Sequence, residues 1–231
     1  MSPKNDRSQL GALPKSLDTH TANHIRDRIL DGRLEAGTHL VEADLASELG
    51  VSTGTVRAGL RVLQNEGLVE HRRNRGIYVA TMTVEDAWEV YSLRNNLEGM
   101  AARLAAERLD VRGRSRLDRA MHNMREAAQR SDRAALAQAD LALHELIVDL
   151  AGHRRLQTAH QVIHAQSALF MLMTKDFHID PAPLLHTHEQ LVNAIMTGDA
   201  EAAEKLGRTH STEDGERLRD RLSPNHDASA S

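Results

Sequence analysis

The chain of 231 residues contains no cysteine, which removes disulfide frames, thiolate zinc fingers and cysteine nucleophiles from consideration. Any metal must then be held by nitrogen and oxygen donors. Aromatic residues are scarce, with one Trp, two Tyr and two Phe, which argues against modules that stack bases on rings, such as RRM or OB folds. No apolar run approaches the roughly 18 residues of a membrane span. The opening stretch MSPKNDRSQLGALPKS has no apolar segment of the secretory kind. Net charge is only -4, with 40% hydrophobic residues, which is enough for a buried core in one large or two ordinary domains and rules out a disordered polyelectrolyte. Histidine, in contrast, is abundant at 14 residues.

The small net charge hides an asymmetry. Residues 1–80 carry 11 Lys/Arg against 10 Asp/Glu, whereas residues 81–231 carry 18 against 23. Between positions 57 and 75, Arg57, Arg61, Arg72, Arg73 and Arg75 are opposed only by Glu66 and Glu70. A local basic stretch of this kind points to a polyanion partner more directly than the whole-chain charge does.

Residues 1–12 are polar and aperiodic and are expected to form a flexible arm. Ile25, Ile29 and Leu30 recur at helical spacing before the stop signal Gly32, which predicts a helix over residues 17–30. A second helix is expected over residues 42–49. It is broken by Gly50-Val51-Ser52, and a third helix over 55–66 is capped by Ser52 or Thr53, with Val56, Leu60 and Leu63 on one face and Gly67 at its end. Residues 68–80 read as a β-hairpin around an Arg/Asn/Gly turn. Three helices and a hairpin make a winged helix-turn-helix, assigned to residues 13–80. A linker is placed at 81–83. Residues 84–222 are nearly all helical, punctuated at Gly113, Gly152, Asp180-Pro181 and Gly198-Asp199, which predicts a bundle of six or seven helices. The tail 223–231 is expected to be disordered. The fold class is therefore mainly α.

Two segments carry a resemblance. Leu49-Gly-Val-Ser-Thr-Gly-Thr-Val-Arg-Ala-Gly-Leu-Arg-Val-Leu-Gln-Asn-Glu-Gly-Leu-Val69 resembles the winged-helix domain of GntR-family transcription regulators. Leu93-Arg-Asn-Asn-Leu-Glu-Gly-Met-Ala-Ala-Arg-Leu-Ala-Ala106 looks like the start of the FadR-type C-terminal ligand-binding domain, FCD. The likeness runs from about residue 13 to 222. It also has departures: where the family commonly shows Ser-Arg-Thr-Pro-Val-Arg-Glu-Ala, this chain has Ser52-Thr53-Gly54-Thr55-Val56-Arg57-Ala58-Gly59. Gly54 and Gly59 are expected to weaken the third helix by roughly 1 kcal/mol each relative to Ala.

The third helix of such a domain enters the major groove. Ser52, Thr53 and Thr55 suit phosphates at a helix N-terminus. Arg57, which matches the family's DNA-contacting Arg, can pair bidentately with guanine. Arg61, one turn on, suits a phosphate. Arg72, Arg73 and Arg75 of the wing suit the minor groove or the backbone.

Asp140-x-x-x-His144 puts a carboxylate and an imidazole on one helix face. By itself that spacing is a weak sign, since most such pairs are surface hydrogen bonds. The resemblance to the metal-binding subset of FCD proteins implies that Asp140, His144, His188 and His210 form one ligand set for a divalent transition metal (Zn, Ni, Mn or Fe, with Zn the first choice). His186 is the rival of His188, and the Leu191, Ala194 and Ile195 register favours His188. His153, His160, His164 and His178 are read as surface or supporting residues. Arg94 is expected to bind a small carboxylate effector, with an Arg94–Glu98 pair as the competing reading. Gln166 and Ser167 are expected to line the same cavity.

The resemblance implies a cytoplasmic homodimeric transcription regulator, a repressor by preference, that reads a pseudo-palindromic DNA operator under control of a small-molecule effector. No membrane contact is expected. The alternative is a metal-dependent hydrolase using the same Asp/His cluster, but no nucleophile elbow, phosphate loop or HExxH motif is present.

Overall fold

A computed structural model describes residues 17–173 and 180–210. The expected arm, residues 211–222 of the helical domain, the tail and His178 lie outside the described residues. The chain divides into two compact units between Val79 and Ala80.

In the first unit, α1 (Leu17–Leu30) buries Ala22, Ile25 and Ile29 against α3 (Thr53–Asn65), which offers Val56, Leu60 and Leu63. Fully burying such side chains stabilises by about 1.5–3 kcal/mol each. Between them runs α2 (Glu42–Leu49), whose C-cap Gly50 takes the left-handed conformation (φ 65°) that closes the tight turn into α3. Ser52 is the N-cap of α3: its Oγ accepts the Thr55 backbone N–H at 3.1 Å. The helix thus starts at Thr53, two residues earlier than the sequence suggests. The wing pairs β2 (Val69–Arg72) with β3 (Gly76–Val79) in an antiparallel register that sets Glu70 opposite Tyr78. A third strand absent from the sequence reading, β1 (His39–Leu40), pairs with the other edge of β3. Two residues carry too little periodicity to announce themselves as a strand.

Gly59 corrects an expectation. It is buried, and a Cβ there would stand 3.1 Å from the Ala22 backbone nitrogen, 3.3 Å from Thr21 Cγ2 and 3.4 Å from the Asp18 carbonyl. The residue therefore lets α1 and α3 approach closely. Gly59→Ala is expected to lower the stability of this unit by about 1 kcal/mol, because overpacking against backbone outweighs the gain in helix propensity. Thermal melting of the variant would show it, and a raised melting temperature would contradict the packing role.

The second unit holds six helices among the described residues: α4 (Val84–Arg108), α5 (Val111–Gln129), α6 (Arg133–Leu150), α7 (Arg154–Met173), α8 (Pro181–Thr197) and α9 (Ala200–Thr209). A capping box of Thr83 and Asp86 opens α4. Asp110, Asp132, Asp180 and Asp199 cap α5, α6, α8 and α9 through their carboxylates. Gly113 does not break a helix as the sequence suggested: it lies inside α5 and donates its N–H to Asp110 at 2.6 Å. The break expected there falls just before it, at Leu109 and Asp110 between α4 and α5. A further break, between α5 and α6, falls at Ser131, with φ 53°, where neither glycine nor proline marks it. The 25-residue α4 is central and packs on α6, α7, α8 and α9.

Candidate metal centre and nucleic-acid interface

Leucine, isoleucine and alanine fill most of the helical core, yet Arg94 and Glu98 of α4, Asp140 and His144 of α6, His160 and Ser167 of α7, and His188 of α8 are also buried. Burial of so many polar groups is costly unless they satisfy one another. One turn of α6 separates Asp140 from His144. On α8, the register of Leu191, Val192 and Ile195 turns His188 inward, while His186 spends its Nε2 on Gln190 at 3.1 Å. His210 caps the C-terminal end of α9.

Three imidazoles meet at one point. His144 Nε2 is 3.0 Å from His188 Nε2 and 3.1 Å from His210 Nε2. Asp140 Oδ1 completes the group, 2.9 Å from His188 Nε2 and 3.5 Å from His144 Nε2. The opposite ring nitrogens determine what these atoms can do. His188 Nδ1 donates to the Leu184 carbonyl at 2.7 Å, and His210 Nδ1 donates to the Gly207 carbonyl at 3.0 Å. A carbonyl only accepts, so in the neutral rings each Nε2 carries the lone pair. His144 Nδ1 faces the Glu98 carboxylate at 3.3 Å. Lone pairs and a carboxylate oxygen facing one another at about 3 Å repel unless a proton or a metal cation lies between them. Donors bound at about 2.1 Å to one ion would stand about 3.0 Å apart at right angles and about 3.4 Å apart in a tetrahedron. His144, His188 and His210 form a group that could hold such an ion, and Asp140 Oδ1 stands close enough to His188 and His144 to be its fourth ligand.

Electrostatics favour a neutral His144 and ionised carboxylates, whereas His188 is drawn toward its protonated form in the absence of a metal. Burial pushes the His144 imidazole down to about 3, although Glu98 and Asp140 oppose this. Burial alone would raise Asp140, but the neighbouring His144 and His188 hold it well below the usual carboxylate range. For His188, burial is outweighed by the hydrogen bond and charge of Asp140, and the value rises. Glu98 is held well below its ordinary value against burial, first by Arg94 and then by His144.

The Arg94–Glu98 pair is present: Arg94 Nε donates to Glu98 Oε1 at 2.7 Å with both side chains 3% exposed. Glu98 was read in the sequence only as that competing partner. It also takes His160 Nε2 at 3.1 Å on Oε1. Its Oε2, which makes no hydrogen bond, lies 3.2 Å from His210 Nε2. His160 is thus buried in support of the site. Its i+4 neighbour His164 has a buried Nδ1 without a hydrogen-bond partner, and burial pushes it down to about 4. Ser167 shares this face of α7 but gives its hydroxyl to the Ile163 carbonyl at 2.8 Å. Gln166, six residues past His160, falls about 240° round the helix, away from that face.

In the first unit, Ser52 Oγ and Thr55 Oγ1 are hydrogen-bonded to each other at 2.9 Å at the start of α3, and Thr53 is exposed beside them. Arg57 and Arg61 project from α3 into solvent, as do Arg73 and Arg75 from the β2–β3 turn. Arg57 is bound by Glu42, the first residue of α2. Arg72 pairs with Glu70 at 2.6 Å and lies over the Tyr78 ring at 4.3 Å, so it braces the wing.

Comparison with known proteins agrees with both units. Residues 17–79 match bacterial regulatory proteins of the gntR family, and residues 89–213 match the FCD domain. The chain is 32% identical over 80% of its length, and 83% of the relative's, to a probable D-xylose utilization operon transcriptional repressor of Paenarthrobacter nicotinovorans. It is 27% identical over 84% of its length, and 93% of the relative's, to the galactonate operon transcriptional repressor of Escherichia coli (strain K12). Among solved structures, a GntR transcriptional regulator from Rhodococcus sp. RHA1 superposes with a TM-score of 0.73 at 27% identity, covering 87% of this chain and 96% of that one.

Proposed function

The chain belongs to the GntR family of bacterial transcription regulators that carry an FCD domain, and on that premise we propose that it is a cytoplasmic, homodimeric repressor whose operator binding responds to a small carboxylate held at a metal in the helical unit. Its relatives regulate transcription and are not enzymes. A hydrolase reading finds no support at the site either: Glu189, beside His188 in sequence, is paired with Arg125 on the outside of the bundle. The winged helix supplies one recognition helix per half-site, and two copies suit a pseudo-palindrome. Domain boundaries at 13–80 and 84–222, with residues 81–83 between, belong to the same proposal.

The carrying observation is the convergence of three Nε2 atoms and one carboxylate oxygen. With neutral imidazoles, two carboxylates against one guanidinium leave the buried group with one negative charge. A divalent ion makes it positive by one, so the loaded site attracts anions and the empty one repels them. When bound, the metal supplies Lewis acidity toward oxygen ligands. Arg94, its Nε held by Glu98, keeps a positive charge beside them. The E. coli relative's operon is named for galactonate, a 2-hydroxy acid, and adjacent hydroxyl and carboxylate oxygens suit a metal with free positions. A 2-hydroxycarboxylate is therefore the effector class proposed here. DNA occupancy responds only if this ligand prefers one arrangement of the two DNA-binding units over another.

A thermal-shift panel on metal-loaded protein tests the ligand class. Galactonate and lactate are expected to raise the melting temperature of the helical unit, and galactose, the aldose matching galactonate, to leave it unchanged. Equal shifts with galactonate and galactose, or no shift with any carboxylate, would overturn the assignment.

A further inference from the structure

Arg57 does not project alone. Its Nη2 lies 2.6 Å from Glu42 Oε2, and its Nε donates to both carboxylate oxygens at 3.1 Å. Glu42 belongs to the first turn of α2 and Arg57 to the second turn of α3, so the pair bridges the two helices of the helix-turn-helix. Both side chains are accessible, at 29% for Glu42 and 55% for Arg57, and neither belongs to the buried core. An exposed pair of this kind contributes little to folding, so its geometry calls for another explanation.

We infer that Glu42 is a positioning residue that presents Arg57 to a guanine. The inference rests on the reading of α3 as the recognition helix. A guanidinium has two usable edges. Glu42 occupies the edge formed by Nε and Nη2, and the edge formed by Nη1 and the second Nη2 hydrogen stays open. That open edge carries the two parallel N–H groups needed for guanine O6 and N7. Holding the first edge fixes the plane and direction of the second before DNA arrives, which removes most of the freedom of a long side chain. It also places a negative charge near phosphates, a cost in general affinity accepted in return for discrimination. Arg61, exposed on the next turn, adds its positive charge near Glu42, and its guanidinium fits a phosphate.

The test uses the full-length protein and the duplex that wild type enriches from a randomised library. Binding is then measured on that duplex, on single guanine-to-adenine changes in each half-site, and on a random duplex, for wild type, Glu42→Gln, Glu42→Ala and Arg57→Ala. Wild type should lose about 10- to 100-fold on one such change, and Arg57→Ala should lose that preference. Both Glu42 variants should melt within about 2 °C of wild type and bind random duplex at least as tightly, yet discriminate at that guanine by less than about threefold. Full discrimination in both Glu42 variants would overturn the inference while leaving Arg57 as the reader. Equal tightening on all duplexes with discrimination kept would mean that Glu42 merely masks Arg57, which also overturns it. If Arg57→Ala keeps every guanine preference, or no duplex is enriched, the DNA-contact reading itself fails and the inference falls with it.

Discussion

His144→Ala is expected to abolish metal retention while leaving the protein folded. His144 Nε2 is the donor nearest to both other imidazoles, 3.0 Å from His188 and 3.1 Å from His210. Its loss leaves Asp140, His188 and His210 around a gap. Replacing residues that only hydrogen-bond a ligand costs about 10- to 100-fold in affinity, and removing a ligand from the centre of the set should cost more. Protein purified with about 100-fold excess of metal over its dissociation constant gains about 2.7 kcal/mol of stability from binding. The variant should forfeit it, a loss of about 10 °C in the metal-dependent melting shift of the helical unit. Acidification should act in the same direction, because Asp140 raises the His188 value and metal must displace that proton. His186→Ala serves as the control, since its ring bonds Gln190 away from the cluster. Metal analysis that finds equal content in wild type and His144→Ala would refute the ligand assignment.

The second large effect concerns a residue with no side chain to offer a metal. Gly207 sits in α9 where it crosses α4: a Cβ there would stand 2.9 Å from the Glu98 carbonyl, 3.0 Å from Gly99 Cα and 3.1 Å from Ala102 Cβ. All three are backbone or rigid atoms and cannot move aside cheaply. Gly99 faces the same crossing, and a Cβ on it would collide with Arg208. Gly207→Val is therefore expected to destabilise the helical unit by about 3 kcal/mol. More tellingly, metal affinity should fall by at least about 10-fold, because the Gly207 carbonyl accepts from His210 Nδ1 and α9 carries His210 to the cluster. Thermal melting and metal titration of the variant measure the two effects separately. A stable variant with undiminished metal affinity would show that the crossing is not what delivers His210.

Much of this arrangement can be read from the sequence, and the exceptions have physical causes. Helical periodicity revealed α1, α2 and α3, because Ile25, Ile29, Val56, Leu60 and Leu63 each face one core. The spacing of Asp140 and His144 and the apolar register after His188 identified residues that the fold brings together. Glu98 was hidden because an i, i+4 Arg–Glu pair looks the same on a surface helix as in a core. His160 was set among surface or supporting residues; its spacing to His164 and Ser167, around apolar Ile163, was the available sign of a shared inward face. Gly59, Gly113 and Gly207 look like helix breakers in one dimension, whereas in three they are contact points between helices. At Ser131 the helix break carries no glycine or proline, and the Asp132 cap was the sole local sign. Ion pairs between separate elements, such as Glu42 with Arg57, have no signature in spacing at all.

The central claim is that metal makes the helical unit a receptor for a carboxylate that controls DNA binding. The most direct measurement is DNA occupancy of the full-length protein on its selected operator duplex, titrated with galactonate or lactate, in metal-loaded and chelator-stripped protein side by side. The account predicts that at least one of these acids releases DNA from the metal-loaded protein, and that neither changes occupancy of the stripped protein. The same release with and without metal would contradict it.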